Sequence, residues 1–380
     1  METKSNKIDV WILIPVLALI AFSLAVVYSA SSSWSIKMSG DSSYLFKHHL
    51  VRAIIGIIMI FIFARIDYRN LITFRKILLL ASFVMLLYLL FAGVEITKGA
   101  SRWIRIGGFS FQPSDFVKYA LMINLSYMLS KKKDYIGNLY YSYIPMLFYV
   151  LLIVALIAIQ PNFSTSSLVF ITSMILFYVG RVKIKHIIVT CLSMIPVVVL
   201  FVLSKPYIIS RLFAYQEQSS GNEVNYQVSQ AIIGFGNGSL FGVGPGNSYQ
   251  REFFLPQSYD DFVFSIVGEE YGFIGAALVI ILFSLFIYRG LKLSKDADED
   301  FGKYLAFSIT AIIGLNAMIN MMVATGIVPT TGVTLPFMSY GGTSIIFNSI
   351  AVGILLNISS HRIKNINSWI DVYSDETIDN

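Results

Sequence analysis

Residues 10–30 read VWILIPVLALIAFSLAVVYSA, an apolar run without a charged side chain. A transmembrane helix needs about 20 consecutive, mainly apolar residues to cross the hydrocarbon core of a bilayer. The start before the run, METKSNKID, resembles a signal peptide in its order of charges. However, the run exceeds the roughly 7–15 apolar residues of a signal sequence, and further apolar runs follow. We therefore predict a first transmembrane helix that is retained.

Nine further apolar segments follow along the chain. The ten predicted spans lie near residues 10–30, 48–65, 73–92, 113–130, 143–159, 165–180, 187–204, 262–288, 304–327 and 344–360. Charged residues make up only 13% of the chain, against roughly 25% in soluble proteins, and the mean hydropathy is +0.70. The predicted fold class is therefore an all-α polytopic membrane protein with ten transmembrane helices.

The distribution of Lys and Arg orients these spans. With a cytoplasmic N-terminus, 18 of the 28 Lys and Arg residues fall in cytoplasmic segments, eight fall in the longer outer loops, and Arg52 and Lys118 lie within spans. Cytoplasmic loops are enriched in positive charge, and an even number of spans places both termini on one side. We predict cytoplasmic N- and C-termini and a large extracytoplasmic loop, residues 205–261, between helices 7 and 8.

The remaining sequence is too short for a separate soluble domain. We predict one membrane domain over residues 1–380, with a transmembrane bundle over 10–360 that includes the outer loop, and a cytoplasmic tail over 361–380. The scattered cations argue against a nucleic-acid partner, and the single cysteine, Cys191, excludes an intramolecular disulfide and a Cys-rich metal site. No metal ligand is predicted, since the four histidines lack a metal-binding spacing.

Ionisable residues within or at the mouth of a span are costly and are therefore functional candidates. Arg102 lies in the loop after the third span, and Pro113 begins the fourth, with Asp115 and Lys118 one helical turn apart. Asp115 and Lys118 could form a structural ion pair near a helix N-terminus. Alternatively, Arg102 and Lys118 could form a cationic pocket for a phosphate-bearing lipid. The residues alone leave both interpretations open.

A second group of carboxylates lies in LPQSYDDFVFSIVGEEYG, residues 255–272. Asp260 and Asp261 precede an apolar helix, and either could be its N-cap. Glu269 lies about 12 Å deeper, and Glu270 lies on the face opposite Asp261. We therefore do not expect a catalytic pair of Asp261 and Glu270, and we predict that at least one glutamate is buried against a partner helix.

Two segments combine glycine with turn-forming residues. GFGNGSLFGVGPGNS, residues 234–248, matches no nucleotide-binding motif, and we predict a folded outer loop whose glycines permit tight turns. PTTGVTLPFMSYGGTS, residues 329–344, is uncharged and separates two spans. It is either an ordinary loop or backbone at membrane depth, which must be buried in protein or line a cavity.

The order of these motifs makes the chain recognisable. They are KGASRWI (98–104), QPSDFVKYA (112–120), QPNFST (160–165), GVGPGNS (242–248) and the segments 255–272 and 329–344. The chain resembles the SEDS family, which comprises FtsW, RodA and SpoVE, along nearly its whole membrane-embedded length. The segment 329–344 is more similar to FtsW or SpoVE than to RodA.

The resemblance implies a ten-helix peptidoglycan glycosyltransferase that polymerises lipid II at the outer face of the bacterial cytoplasmic membrane, with a role in cell division. Implied partners are lipid II, a class B penicillin-binding protein transpeptidase and divisome membrane proteins. The essential aspartate of the family falls on Asp261, which would be catalytic. Its Arg-Trp pair falls on Arg102 and Trp103 and its intramembrane lysine on Lys118; with Asp115, these would bind substrate.

Three positions depart from the family pattern. Asp115 stands where Glu is usual, Asn162 where Asp is frequent, and Gln257 to Asp260 where Glu-x-His-Thr is common. Asn162 therefore puts in doubt a mechanism that needs an anion at that position. No cofactor is certain. Mg²⁺ or Mn²⁺ could assist at the pyrophosphate, although the sequence offers no metal-ligand spacing.

Other functions fit the same span count. Ten helices with intramembrane charges also suit a lipid II flippase or another polyprenyl-lipid transporter, an elongation-type, RodA-like polymerase, or a scaffold for a transpeptidase. Transport requires access from both faces, whereas the candidate residues gather at the outer side, which favours chemistry there. A scaffold makes no demand for a carboxylate at position 261.

Overall fold

The computed structural model describes residues 3–4, 8–91, 103–106, 109–205, 208–209, 223–250, 259–361 and 363–364. The α-helices are α1 (Val10–Ser39), α2 (Tyr44–Arg65), α3 (Asn70–Phe91), α4 (Pro113–Lys131), α5 (Ile144–Ile159), α6 (Phe163–Val179), α7 (Ile184–Leu203), α8 (Glu223–Gly238), α9 (Val263–Asp296), α10 (Asp300–Ala324) and α11 (Ser344–Ser360). A 3₁₀ turn (Lys133–Tyr135) and a π-helical turn (Leu139–Tyr143) precede α5.

Among the described residues, four short strands form two antiparallel pairs. The strands are β1 (Thr3–Lys4), β2 (Ile104–Ile106), β3 (Phe109–Phe111) and β4 (Ile363–Lys364). β2 pairs with β3 immediately before α4, an element that the hydropathy pattern does not indicate. β1 pairs with β4, so residues 3–4 and 363–364 lie next to each other.

Each of the ten predicted spans coincides with a helix. In the part of the chain that the structure describes, seven helical stretches are long and apolar enough to cross a membrane: α1, α2, α3, Leu139–Ile159, α7, α9 and α10. The other three predicted spans are α4, which carries Asp115 and Lys118, and α6 and α11, which have 17 residues each. α1 and α9 are longer than predicted, at 30 and 34 residues, or about 45 and 51 Å. They therefore extend beyond a hydrocarbon core of about 30 Å.

Burial separates central helices from peripheral ones. α4 is buried along most of its length, from Pro113 to Leu129, and α11 is buried over most of its residues. α7, by contrast, is almost entirely exposed and apolar, and Cys191 lies on this exposed helix. A central helix faces protein rather than lipid, so it can carry polar side chains that a peripheral helix could not. This explains why α4 has the charges and α7 has none beyond its first turn.

Gly272 interrupts α9, because its φ of +66° is not helical. The freed backbone groups bind the segment 239–244 instead: the N–H of Phe273 donates to the carbonyl of Ser239 at 2.9 Å, and the N–H of Val243 donates to the carbonyl of Glu269 at 3.0 Å. The break lies about 14 Å along the helix from its start. Part of the predicted outer loop therefore packs beside a span.

The glycines of segment 234–248 have two different roles. Gly234, Gly236 and Gly238 lie within or at the end of α8, which corrects the prediction that they form turns. Gly242, Gly244 and Gly246 have positive φ angles, as predicted for tight turns. A Cβ on Gly238 would lie 1.9 Å from the carbonyl oxygen of Gly268. The missing side chain thus permits close packing of α8 on α9.

Candidate functional site

The segment between α10 and α11, residues 325–343, is a loop whose second half is buried. Leu335, Phe337, Met338 and Ser339 are each at most 3% exposed, so this half of the loop is surrounded by protein. The second half therefore fits the interpretation as backbone buried in protein, whereas the first half is more exposed. We call residues 325–343 the central loop, because Trp103, Gln112 and Tyr259 contact it from three different segments.

Asp261 lies in a turn, residues 259–261, that enters α9. The N-cap residue of α9 is Phe262, so neither Asp260 nor Asp261 occupies the N-cap position considered from the sequence. Asp261 is partly exposed. Its Oδ2 atom faces Gly332 of the central loop, where an added Cβ would lie 3.8 Å away. The turn also binds the central loop through the N–H of Tyr340, which donates to the carbonyl of Tyr259 at 2.9 Å.

Tyr259 adds a protonated phenol beside the two aspartates. It is 8% exposed and packs edge-to-face against Tyr340, with ring centroids 5.5 Å apart. Burial, together with the charge of Asp260, raises the pKa of Tyr259. The phenol therefore stays protonated at neutral pH and can act as a hydrogen-bond donor.

Lys118 and Asp115 form a buried ion pair in the first two turns of α4. The Nζ of Lys118 lies 2.9 Å from Oδ1 of Asp115, and the side chains are 5% and 9% exposed. The ion pair of Asp115 and Lys118, one of the two interpretations left open by the sequence, is therefore present in the structure. It does not saturate either group, however, because Oδ2 of Asp115 is buried and accepts no hydrogen bond from a described residue. Lys118, with three donors, uses one of them on Asp115.

The start of α4 is joined to both α6 and the central loop. Asn162 precedes α6, is 6% exposed, and donates from Nδ2 to Oγ of Ser114 at 3.3 Å. The backbone N–H of Gln112 donates to Oγ1 of Thr343 at 3.1 Å. Asn162, identified from the sequence as a departure from the family, therefore lies beside the turn that holds Asp115. Its neutral amide adds no second negative charge next to that carboxylate.

Trp103 contacts the central loop from the β2–β3 side. A Cβ on Gly342 would lie 2.7 Å from Cζ3 of Trp103 and 2.9 Å from the carbonyl oxygen of Ser110. Only glycine at position 342 permits this approach of ring and backbone. Arg102, the neighbouring predicted site residue, lies outside the described residues.

Arg52 is a further candidate for the site; the sequence places it within a predicted span, where we expected no particular role for it. It lies in α2, is 6% exposed, and its guanidinium carbon lies 4.8 Å from the centre of the Tyr340 ring. Within the described part of the chain it forms no ion pair, and its Nη1 is buried without a hydrogen bond. A ring contact does not neutralise a buried charge. The signal for Arg52 was its charge within an apolar span.

The two glutamates of α9 accept hydrogen bonds from different segments of the chain. Glu270 is 1% exposed and accepts a hydrogen bond from Oγ of Ser29 in α1. Glu269 is equally buried, and its Oε1 accepts from the backbone N–H of Tyr249 at 3.2 Å. The prediction that at least one glutamate is buried against a partner helix is confirmed by Glu270. Glu269 instead binds the outer loop at Tyr249.

Among the described residues, no group of three or more His, Cys, Asp or Glu side chains is placed to hold a metal ion. The acidic groups near the central loop are dispersed: Asp115 is bound to Lys118, whereas Asp261 faces Gly332. The described side chains therefore do not supply a ligand set for Mg²⁺ or Mn²⁺.

The sequence profile of the FtsW, RodA and SpoVE proteins, described as "Cell cycle protein", matches residues 10–364. The chain belongs to this family. Stage V sporulation protein E of Bacillus subtilis (strain 168) is 37% identical over 365 residues, which cover 95% of this chain and 99% of the relative. A protein of Trichlorobacter lovleyi named "Probable peptidoglycan glycosyltransferase FtsW" is 35% identical over 354 residues, or 93% of each chain.

Solved structures share the fold. The Thermus thermophilus rod shape determining protein RodA has a TM-score of 0.68 at 23% identity, covering 94% of this chain and 98% of RodA. A second structure has a TM-score of 0.76, also at 23% identity. It is a chain from "Structural coordination of polymerization and crosslinking by a peptidoglycan synthase complex", and the match covers 93% of this chain and 97% of that chain. The predicted resemblance to this family is therefore confirmed, and the chain is a multi-pass membrane protein of RodA-like fold.

Proposed function

We propose that this protein is a peptidoglycan glycosyltransferase that polymerises lipid II at the outer face of the bacterial cytoplasmic membrane, in septal wall synthesis. The observation that carries the proposal is the arrangement around the central loop. Asp261 faces the loop at Gly332, and the element that contains Lys118 is bound to the same loop at Thr343. A carboxylate thus faces this loop, and the helix that carries the buried cation is bonded at its N-terminal end to the same loop. Relatives 31–37% identical include several named for this activity.

The chemistry assigns each residue a role. Transfer requires removal of a proton from the acceptor hydroxyl and stabilisation of the departing lipid pyrophosphate. Asp261 acts as the general base, and Lys118 with Arg102 stabilises the negative charge on the pyrophosphate. Trp103 and Asp115 help to bind and orient the substrate. Attack opposite the leaving group inverts the anomeric carbon, so a single base suffices, by analogy with inverting glycosidases.

Arg52 extends this cationic set. Its buried guanidinium lies against Tyr340 of the central loop, and Tyr340 is hydrogen-bonded to the Asp261 turn through Tyr259. A desolvated cation attracts an anion more strongly than one in water does. Arg52 therefore adds to the attraction for a lipid-linked pyrophosphate on the α2 side of the loop.

The topology proposed for this activity has ten transmembrane helices, cytoplasmic N- and C-termini, and residues 205–261 outside, within a single membrane domain. The antiparallel pairing of β1 with β4 supports an even number of spans. A second contact has the same effect, because the backbone N–H of Asp9 donates to Oγ of Ser359 at 2.8 Å. The charge distribution supports the orientation.

A class B penicillin-binding protein is the proposed partner, together with other divisome membrane proteins. The support is the fold shared with a chain from a complex whose name joins polymerisation to crosslinking. A polymerase that delivers glycan directly to a transpeptidase would keep the new strand close to the membrane until it is crosslinked.

The proposal is tested by incubating purified lipid II with the purified protein, alone and with a co-purified class B penicillin-binding protein. We expect glycan strands longer than the lipid II disaccharide, resolved by gel or mass spectrometry. Movement of lipid II between leaflets of a vesicle without polymer would instead identify a flippase. Absence of both, with retained binding to the transpeptidase, would identify a scaffold.

Single-cysteine labelling tests the topology. With Cys191 replaced, cysteines at Ser219 and Asn247 should react with an impermeant maleimide added to intact cells, whereas a cysteine at Ser294 should react only after permeabilisation. Asn247 is exposed, and Ser294 lies in the last turns of α9, beyond the length needed to cross the bilayer. Labelling at Ser294 in sealed cells would reverse the orientation.

A further inference from the structure

We propose that Asn320 is a positioning residue that fixes the main chain of Asp261 against the central loop. The inference rests on the proposed function, in which Asp261 is the base. Asn320 lies in α10, four residues before its end, and is 1% exposed. It is far from Asp261 in sequence and carries no charge.

One nitrogen atom of Asn320 bridges two segments. Its Nδ2 donates to the carbonyl of Asp261 at 2.9 Å and to the carbonyl of Val333 at 2.8 Å. An amide NH₂ has two protons, so both are used. Because both acceptors are carbonyls, only the nitrogen can occupy this position, and the orientation of the amide is determined by the bonding.

The segment 331–333 is also held from a second side. Oγ of Ser164, in the first turn of α6, donates to the carbonyl of Thr331 at 2.6 Å. Between the two fixed carbonyls lies Gly332, the residue that faces Oδ2 of Asp261. The backbone opposite the carboxylate is therefore fixed by α6 and α10, and Asn320 sets its spacing from the Asp261 turn.

A general base works only within hydrogen-bond reach of the proton that it removes, and a misplacement of about 1 Å can lower a rate by about 10²-fold. Asn320 binds the carbonyl of Asp261, and the proposed mechanism gives it no contact with the substrate. Its loss should therefore affect the rate of the bound complex more than substrate affinity. The substitution would also remove this donor from the partly buried carbonyl of Asp261 and from the buried carbonyl of Val333.

The test compares Asn320→Leu with Asn316→Leu, since leucine keeps the approximate volume and removes the amide. Asn316 is the matched control: it lies one helical turn earlier on α10, is 7% exposed, and forms neither of the two bonds. We expect Asn320→Leu to lower kcat about 10- to 100-fold, with KM for lipid II within about threefold of wild type. Asn316→Leu should polymerise lipid II at a near wild-type rate, and its thermal stability should be similar to that of wild type.

Hydrogen exchange of the detergent-solubilised protein gives a readout that does not depend on activity. Peptides covering 259–264 and 331–335 should exchange faster in Asn320→Leu than in Asn316→Leu. Equal exchange, or equal kcat in the two variants, would overturn the inference.

If wild type makes no glycan, or Asp261→Asn is fully active, the proposed function fails instead. Faster exchange alone would then show that Asn320 holds the turn without positioning a base.

Discussion

Asp261→Asn should abolish glycan polymerisation while leaving the protein folded and able to bind its transpeptidase. A positioned general base contributes about 10²–10⁴-fold in rate, and asparagine cannot accept the proton. The substitution keeps the size of the side chain. The backbone carbonyl of Asp261, which accepts from Asn320, is retained, so the turn should keep its position. The measurement is the initial rate of lipid II polymerisation by the purified variant.

Asp260→Asn is the matched control for this experiment. It removes a carboxylate from the adjacent position of the same turn and should lower the rate far less than Asp261→Asn. The two variants should have similar melting temperatures, since each loses one charge at the same helix entrance. Polymerisation by Asp261→Asn at a near wild-type rate would refute the base assignment and favour a transporter or a scaffold.

Lys118→Met should lower polymerisation about 10²–10³-fold, the typical effect of removing one donor that stabilises developing charge. The structure adds a complication, because Lys118 is bound to Asp115 in a buried pair. Removing one partner of such a pair leaves a buried charge and typically costs about 3–5 kcal/mol of stability. Lost activity in this variant alone would therefore fit either a binding or a structural role.

The double variant Asp115→Asn/Lys118→Met separates the two roles. It removes both charges, so no uncompensated ion remains, and the free energy of unfolding should recover relative to Lys118→Met. If the pair acts on the substrate as proposed, with Lys118 at the pyrophosphate and Asp115 orienting the substrate, the double variant stays inactive despite its recovered stability. Recovery of polymerisation together with stability would instead assign the pair a purely structural role. Thermal unfolding and polymerisation should be measured on the same preparations.

The spans themselves could be predicted because the signal is local. About 20 consecutive apolar residues define a membrane helix whatever their neighbours are, and every predicted segment coincides with a helix. Pro113 at the start of α4, and the one-turn spacing of Asp115 and Lys118, follow from the same short-range rules. The family was also recognisable, because its motifs are contiguous stretches of sequence.

Contacts between distant segments were decided only by the tertiary structure. The break at Gly272 exists because segment 239–244 supplies hydrogen bonds that the helix loses. Hydropathy could not show this, since glycine within an apolar run also fits an unbroken helix. Arg52 was visible as a charge in a span, yet its place beside Tyr340 depends on how α2 packs against the central loop.

Asn320 shows this limit most clearly. In sequence it is one uncharged polar residue in an apolar helix, and nothing nearby distinguishes it from Asn316. Its role comes from the packing of α10 against two segments, one 59 residues earlier and one 13 residues later. Sequence by itself determined which segments are helical and which residues carry charge, because both depend on local composition. Which of those residues meet around the central loop was decided by packing, because hydrogen bonds between distant segments have no local pattern.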